Sequence, residues 1–229
     1  MRSPDWIAVR ALPLFSEMAE EHFDQLVDGA FCHRFPKYAN LVTEGDTADF
    51  LYVLVDGLIE LYGTHDGQRT TLDIMQPVTT FTLASVIRDS VYLKSARTLA
   101  PSQILMIPAQ SVRHTYRIDH AFAEAIVNEL ADRYSCTVRA LKSVKLRNGL
   151  ERLANWILCA DQEQGGQRCV ELSFDKRTLA SRLGMTPENL SRNLAVLNKH
   201  GVRSSGRDIV IENPSALVQL AKPNSLIDG

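Results

Sequence analysis

Three side chains near residue 190 have the chemistry needed to read the edges of nucleic-acid bases. Glu188, Ser191 and Arg192 stand at positions i, i+3 and i+4, which places them on one edge of a helix. Arginine can donate two hydrogen bonds to guanine, glutamate can accept one from the cytosine amino group, and the short serine can approach a thymine. An ordinary exposed Glu–Arg pair has the same spacing, so the surrounding elements must decide between the two interpretations.

The surrounding residues have the pattern of two helices joined by a short turn. Asp175 is a candidate N-cap for a first helix that stops at Gly184, and Thr186 is a candidate N-cap for a second helix, with Pro187 in its first turn and Gly201 after its end. Six apolar residues are spaced to pack the two helices together: Leu179, Ala180, Leu183, Leu190, Leu194 and Leu197. The pattern predicts a helix-turn-helix, whose second helix enters the major groove of DNA.

The residues after the second helix predict a β-hairpin that turns at Ser205-Gly206 and forms a wing. Residues 173–207 contain seven basic and two acidic side chains, although the formal net charge of the chain is −2. A local basic surface of this kind is expected where a protein meets phosphates. The candidate contacts with the DNA backbone are Lys176, Arg177, Thr186, Arg203 and Arg207.

A narrow stripe runs along a helix predicted over residues 118–147. Its members are spaced alternately three and four residues apart, as in a coiled coil: Val127, Leu130, Tyr134, Thr137, Leu141, Val144 and Asn148. A stripe this narrow favours pairing with a second copy of the chain, and packing on the chain's own barrel is the alternative. Asn148 is also a candidate N-cap for the next helix, with Glu151 completing a capping box.

The first half of the chain is rich in short β-strand patterns. Turn signals at Glu44-Gly45-Asp46, Asp56-Gly57 and His65-Asp66-Gly67 divide residues 31–108 into strands typical of an antiparallel barrel or jelly roll. The two strands on either side of Asp56-Gly57 are predicted to form a tight hairpin. Before them, residues 16–28 predict a short amphipathic helix with Ser16 as N-cap and with Phe23, Leu26 and Val27 on one side.

These patterns together predict an α+β protein. We expect a β-barrel sensory domain over residues 1–117, a dimerisation helix over 118–147 and a winged helix-turn-helix DNA-binding domain over 148–229. No apolar run reaches the roughly 18 residues of a membrane span and no secretory signal is recognisable, so we expect a cytoplasmic protein. Scattered cysteines without a C-x-x-C motif indicate neither a metal site nor a disulfide framework: Cys32, Cys136, Cys159 and Cys169.

Two other classes of protein share a small β-barrel. A metal-dependent cupin enzyme needs a His-x-His pair on one strand, and the sequence has none. A regulatory subunit that controls a kinase or a channel has no need of a winged helix-turn-helix. A DNA-binding regulator without enzymatic activity therefore fits the sequence best.

The order of parts resembles the bacterial CRP–FNR superfamily of transcription regulators over nearly the whole chain. The resemblance is carried by LPLF at 12–15, EGDTADFLYVLVDGLIELY at 44–62 and LASRLGMTPENLSRNLAVLNKHG at 179–201. It implies a homodimer that binds double-stranded DNA and contacts RNA polymerase. The residues Glu188, Ser191 and Arg192 are similar to the FNR-like recognition helix, which implies a TTGA-type palindrome with half-site centres about one helical turn apart. The catabolite activator has Gly at the position of Ser191 and Arg at that of Pro187.

The sensory end departs from the cyclic-AMP binders of this family. Those proteins carry Gly-Glu-Leu after a Phe, and then Arg-Ser-Ala, to hold the ribose and the phosphate. Here the corresponding residues are Phe81-Thr82-Leu83-Ala84-Ser85 and Lys94-Ser95-Ala96, so both the glycine and the carboxylate are missing. We therefore expect no useful binding of cyclic AMP.

We expect instead a different small effector, held between the barrel and the long helix near Leu83, Ala84, Lys94, Ser95, Tyr134 and Thr137. No cofactor or metal is predicted, and the cysteine group that FNR-type oxygen sensing needs near the N-terminus is missing. Two alternatives stay open. One is a haem-based gas sensor with axial ligands among Cys32, His33, His65 and His114, and the other is a regulator that needs no effector.

Overall fold

The computed structural model describes residues 4–228, and its contacts divide the chain into two compact units, Met1–Arg133 and Tyr134–Gly229. The elements of the first unit are α1 (Pro4–Arg10), α2 (Pro13–Ser16), α3 (Glu20–Val27), β1 (Phe31–Phe35), β2 (Asn40–Val42), β3 (Phe50–Asp56), β4 (Ile59–His65), β5 (Gln68–Met75), β6 (Thr79–Phe81), α4 (Leu83–Arg88), β7 (Ser95–Thr98), β8 (Ser102–Pro108) and α5 (Ala109–Ile118). Helix α6 (His120–Leu146) begins in the first unit and ends in the second.

The elements of the second unit after α6 are α7 (Gly149–Glu163), β9 (Cys169–Glu171), α8 (Lys176–Arg182), α9 (Pro187–Asn198), β10 (Val202–Ser205), β11 (Asp208–Ile211), α10 (Pro214–Ala221) and α11 (Ser225–Asp228). The α+β class and the order of barrel, long helix and helix-turn-helix are therefore confirmed. The three predicted domain ranges stay a prediction. Among the described residues, no helix is both long and apolar enough to cross a membrane.

Two antiparallel four-stranded sheets form the body of the first unit, with strand orders β1-β8-β3-β6 and β2-β7-β4-β5. Residues of both sheets bury a continuous apolar core that includes Leu51, Val53, Ile59, Leu61, Ile104 and Ile107. Successive side chains of a strand point to opposite faces of its sheet, and four successive residues of β3, from Leu51 to Leu54, are buried, so the middle of this strand is covered on both faces. The predicted antiparallel barrel or jelly roll is confirmed.

The predicted hairpin at Asp56-Gly57 is wrong, although both of its strands exist. Strand β3 pairs with β6 and β8, whereas β4 pairs with β5 and β7, so the chain crosses from one sheet to the other at this point. Gly57 has a φ of +103°, and an added Cβ would lie 2.6 Å from the Cα of Ser102. Gly57 therefore allows the chain to pass close to the backbone of Ser102 as it crosses between the sheets. The hairpin at His65-Asp66-Gly67 is present, because β4 and β5 pair directly up to His65 and Gln68.

The predicted helix over residues 16–28 is shorter than expected. Ser16 ends α2 instead of capping the next helix, and α3 starts at Glu20 after Ala19, which offers no side-chain cap. Pro13 occupies the first turn of a separate short helix, α2, which includes Ser16 as its last residue. The apolar side of the helix is placed as expected: Phe23 and Leu26 are buried, and Val27 packs against the core.

The long helix begins at His120 because Asp119 caps it. The Asp119 carboxylate accepts hydrogen bonds from the backbone N–H of Phe122 at 2.8 Å and of Ala19 at 3.2 Å, and it lies 2.8 Å from Nδ1 of His22. The carboxyl group is buried, which raises its pKa, but these hydrogen bonds outweigh the burial and hold the pKa below its usual range. The start of α6 is thus tied to α3.

We predict that Gly57→Ala lowers the free energy of unfolding by about 3 kcal/mol, because it combines a strained φ with a steric clash. Gly67→Ala is the matched control. It also has a positive φ, of +73°, but open space around an added Cβ, so we expect a loss of only about 1 kcal/mol. Denaturant unfolding of the two variants measures the difference, and equal losses would contradict the close approach at Gly57.

Candidate nucleic-acid interface

The helix-turn-helix is built from the capping residues that the sequence indicated. The Asp175 carboxylate accepts a hydrogen bond from the backbone N–H of Thr178 at 2.7 Å, and the Thr186 hydroxyl accepts one from that of Asn189 at 3.2 Å. Pro187 occupies the first position of α9, where a missing N–H costs nothing. Gly184, between the helices, has a φ of +62°, the left-handed conformation that glycine adopts most easily.

Packing decides which side of α9 is exposed. The predicted apolar residues of the two helices turn inward, and all but Leu194, which is half-buried, are buried: Leu179, Ala180, Leu183, Leu190 and Leu197. Glu188, Ser191 and Arg192 are all exposed. The three side chains therefore form one solvent-facing edge on a helix whose opposite face is fixed in the core.

The carboxylate of Glu188 is held in its ionised form. Its own backbone N–H and the Thr186 hydroxyl lower the pKa of Glu188 below its usual range, and the positive charges of Arg192 and Arg177 lower it further. Within the described residues, no direct ion pair joins Glu188 to Arg192. The structure therefore leaves the guanidinium and the carboxylate available for separate contacts.

The wing lies beside the first helix of the pair. Strands β10 and β11 are paired from Val202 with Ile211 to Ser205 with Asp208, and β9 adds a third strand that the sequence did not indicate. The Lys176 ammonium donates a hydrogen bond to the Ser204 hydroxyl at 2.8 Å, which connects α8 to the wing. The wing turns at Gly206-Arg207, one residue later than expected.

The predicted phosphate contacts differ in their present partners. Arg177 and Arg207 are exposed. Arg203 is also exposed and lies 3.0 Å from the carboxylate of Glu212. Thr186 is exposed as well, and its hydroxyl accepts a hydrogen bond from the backbone N–H of Asn189.

Sequence reasoning missed Arg152. The Arg152 guanidinium donates to the backbone oxygens of Leu183 at 2.8 Å and Gly184 at 3.2 Å, so it fixes the turn between α8 and α9. No local pattern signals this contact, because about 30 residues separate its partners.

The stripe along α6 is largely exposed. Val127 is 60% exposed, Tyr134 71%, Leu141 57% and Val144 52%, and Thr137 is also exposed. Leu130 is the exception, because it packs against the core of the first unit. Asn148 lies beyond the end of α6 and caps α7 in the predicted capping box with Glu151. A row of exposed apolar side chains on one helix has the properties of an interaction surface.

The residues predicted to hold an effector fall in both units. In the first unit, Leu83 is buried in the apolar core and Ala84 is exposed. The Ser95 hydroxyl accepts a hydrogen bond from the backbone N–H of Glu44 at 3.0 Å. Burial lowers the pKa of the Lys94 ammonium, with Arg133 adding to the shift and Asp73 opposing it. Tyr134 and Thr137 belong to the second unit, where both are exposed.

The four proposed haem ligands are spread over three elements. Cys32 and His33 are neighbours on β1, His65 ends β4, and His114 lies on α5; all four are exposed. In the described part of the chain, no group of three or more metal-ligating side chains comes together.

Two family models match the chain in the expected order. The cyclic nucleotide-binding domain matches residues 32–119, and the Crp-like helix-turn-helix domain matches residues 151–220. A CRP-like cAMP-activated global transcriptional regulator from Mycobacterium tuberculosis is 23% identical over 194 residues, which cover 82% of this chain and 87% of that protein.

Solved structures have the same fold at low sequence identity. FixK2 from Bradyrhizobium japonicum matches with a TM-score of 0.76 and 23% identity, covering 86% of this chain and 99% of that one. A CRP-family transcriptional regulator from Thermus thermophilus matches with a TM-score of 0.67 and 19% identity, covering 83% and 97% of the two chains.

Proposed function

Because the chain belongs to the CRP–FNR superfamily, and is therefore a DNA-binding transcription regulator and not an enzyme, we propose that it binds a TTGA-containing palindrome as a homodimer. One observation carries this proposal. Glu188, Ser191 and Arg192 share an exposed edge of α9, whose other face is locked by buried leucines. A helix fixed in this way can present its first turns to the major groove without losing further conformational freedom.

Each of the three side chains has a complementary base. The Arg192 guanidinium can donate to O6 and N7 of a guanine, and the ionised Glu188 carboxylate can accept from the amino group of a cytosine. The Ser191 hydroxyl is short enough to approach a thymine. A TTGA half-site supplies the guanine and the thymines on one strand and the cytosine on the other.

The positive charges around α9 are proposed to set the register on the duplex. Lys176, Arg177 and Thr186 lie at the starts of the two helices, and Arg203 and Arg207 belong to the wing region. Contacts of such residues with phosphates position a protein on DNA but carry no sequence information. The specificity is therefore assigned to α9 and the salt-dependent affinity to its surroundings.

The exposed stripe on α6 is proposed to pair with the same stripe of a second copy. Burial of one large apolar side chain contributes about 1.5–3 kcal/mol relative to full exposure, and Val127, Tyr134, Leu141 and Val144 are each half exposed or more. The spacing suits a two-helix seam. The division into a sensory domain (1–117), this pairing helix (118–147) and a DNA-binding domain (148–229) follows from the same proposal.

The effector is proposed to be a small molecule other than cyclic AMP. Leu83 and Ala84 offer no oxygen to a ribose hydroxyl, and Leu83 is committed to the apolar core. The Ser95 hydroxyl already accepts a hydrogen bond from the backbone N–H of Glu44. Lys94 keeps some capacity to bind an anion. The exposed, separate positions of Cys32, His33, His65 and His114 give no support to haem. By family resemblance we also propose RNA polymerase as a partner and the cytoplasm as the location.

We predict that Arg192→Ala removes the preference for guanine at one half-site position, because the paired hydrogen bonds supply about 1–3 kcal/mol of discrimination. Binding to the TTGA palindrome should weaken about ten- to hundredfold, while nonspecific binding at low salt changes little. Fluorescence anisotropy with base-substituted duplexes measures both. The control is Arg203→Ala, which should weaken all duplexes alike and reduce the salt dependence by about one phosphate contact. A uniform loss with Arg192→Ala would contradict its assignment.

We predict that Leu141→Asp dissociates the dimer, because it places two carboxylates against each other in the seam. Sedimentation equilibrium of the full chain measures the mass. Leu146→Asp is the matched control, since Leu146 is 69% exposed on the same helix but lies off the seam, and this variant should stay dimeric. A Leu141→Asp protein that keeps the dimer mass would refute the pairing surface.

We predict that isothermal titration of the full chain with cyclic AMP gives no saturable heat, because the carboxylate and the glycine of the nucleotide site are replaced by Ala84 and Leu83. Thermal melting in the presence of the nucleotide is the independent check, since a ligand that binds the folded state raises the melting temperature. Saturable binding in the micromolar range would show that the altered residues still form a nucleotide site.

A further inference from the structure

Two residues separate the helix that carries the seam from the domain that carries α9. Helix α6 ends at Leu146, and Asn148 is already the N-cap of α7. The direction in which α7 leaves α6 is therefore decided at Arg147 and Asn148. Any side chain that fixes this junction also fixes the path from the seam to the recognition helix within the second unit.

The Arg147 side chain at this junction is buried against a distant carboxylate. Arg147 is 6% exposed and Asp228 is 15% exposed. The guanidinium donates two hydrogen bonds to the Asp228 carboxylate, one from each Nη atom, and the bond from Nη2 to Oδ2 is 2.6 Å long. Paired bonds of this kind fix the orientation as well as the distance of the two groups. The Arg147 guanidinium also holds the pKa of Asp228 below its usual range.

Asp228 is itself held by the segment that follows α10. We call residues 222–228 the return segment, because they lead the chain back to the junction. Lys222 ends α10 in a left-handed conformation with a φ of +47°, and the Asp228 carboxylate accepts a hydrogen bond from the backbone N–H of Asn224 at 2.8 Å. The Asn224 side chain accepts one from Leu226 at 2.9 Å. The carboxylate is thus presented by a hydrogen-bonded turn and not by a loose chain end.

The junction is also connected to the helix-turn-helix. The Arg152 guanidinium donates to the backbone oxygen of Arg147 at 2.7 Å and, on its other side, to those of Leu183 and Gly184. The buried Asn155 side chain donates a hydrogen bond of 2.6 Å to the backbone oxygen of Ala221, the residue just before the return segment. A continuous set of hydrogen bonds therefore runs from Asp228 through Arg147 and Arg152 to the turn before α9.

We propose that Asp228 is a positioning residue for operator binding: by holding Arg147, it fixes the angle between α6 and α7 and so the separation of the two recognition helices in the dimer. The proposal rests on the proposed homodimer and its palindrome. It goes beyond the family match, because the matched residues of the helix-turn-helix domain end at 220. One half-site needs only α9 and its surroundings, whereas two half-sites also need a fixed separation.

The test compares three duplexes: two TTGA half-sites at the preferred spacing, the same duplex with one base pair inserted between them, and a duplex with a single half-site. The insertion moves the second half-site by about 3.4 Å along the axis, so a rigid dimer loses much of the second contact. We define the insertion penalty as the ratio of the affinities for the preferred and the inserted duplex. For Asp228→Asn we expect binding to the preferred duplex to weaken about tenfold, because the effective concentration of the second α9 at its half-site falls. The insertion penalty should therefore also shrink about tenfold. Single-half-site affinity should stay within about twofold.

Two further variants distinguish positioning from general damage. Asp228→Glu keeps the charge and should restore most of the spacing preference. Lys222→Gln is the matched control in the same segment. It removes the ion pair between the Lys222 side chain, which is 75% exposed, and Glu151. An exposed pair of this kind contributes little, so none of the three affinities should change. Arg147→Lys is the alternative variant if Asp228→Asn does not fold. It keeps the positive charge but loses the paired hydrogen bonds, so it should also reduce the insertion penalty.

Two results would overturn the proposal. One is an equal loss on all three duplexes, which indicates damage to the domain. The other is an unchanged insertion penalty in folded Asp228→Asn or Arg147→Lys. A wild-type chain that shows no dependence on spacing would instead count against the homodimer itself, so the two failures are distinguishable.

Discussion

The function of this chain depends on a geometric constraint set by its ligand. Half-sites that face the same side of a DNA duplex lie about 34 Å apart, so two copies of α9 must be held at that separation before either recognises its bases fully. We propose that the two chains are held together by the burial of half-exposed apolar side chains along α6, which include Val127, Leu141 and Val144. The hydrophobic effect is not directional, so the proposed seam would bring two chains together without fixing the angle of the attached domains. In the proposed dimer that angle must come from directional contacts, and the bonds of Arg147 with Asp228 and Arg152 are the proposed source.

The sequence predicts best what is decided by neighbouring residues. Asp175, Thr186 and Asn148 were recognisable as helix caps because a cap bonds to the backbone three residues later, and all three accept that bond. The exposed edge of α9 followed from helical spacing alone. The turn signals between short strand patterns likewise predicted an antiparallel barrel or jelly roll, which the two sheets of the first unit form. The chemistry at the DNA-facing end is local, so it could be derived from short stretches of sequence.

What the sequence could not predict depends on contacts between distant segments. Asp56-Gly57 has the composition of a hairpin turn, but the real constraint on Gly57 is the backbone of Ser102, about 45 residues further along the chain. Arg147 and Asp228 meet over about 80 residues, and no periodicity links them. The contacts of Glu60 were equally unpredictable. Its carboxylate is buried on the sheet face opposite the core and accepts hydrogen bonds from Thr71, Arg69 and Arg97. The proposed effector is the hardest feature to predict, because its candidate residues are drawn from two helices, one strand and a loop, and their identities say mainly what cannot bind.

Two chains are proposed to act together on one duplex, and the decisive quantity is the number of chains that bind each duplex. Sedimentation velocity of the purified full chain with a labelled duplex that carries two TTGA half-sites gives the number of chains bound. We expect a single step to two chains per duplex, with much weaker binding once either half-site is scrambled. A stable complex with one chain per duplex, or equal affinity for the intact and the scrambled duplex, would contradict it.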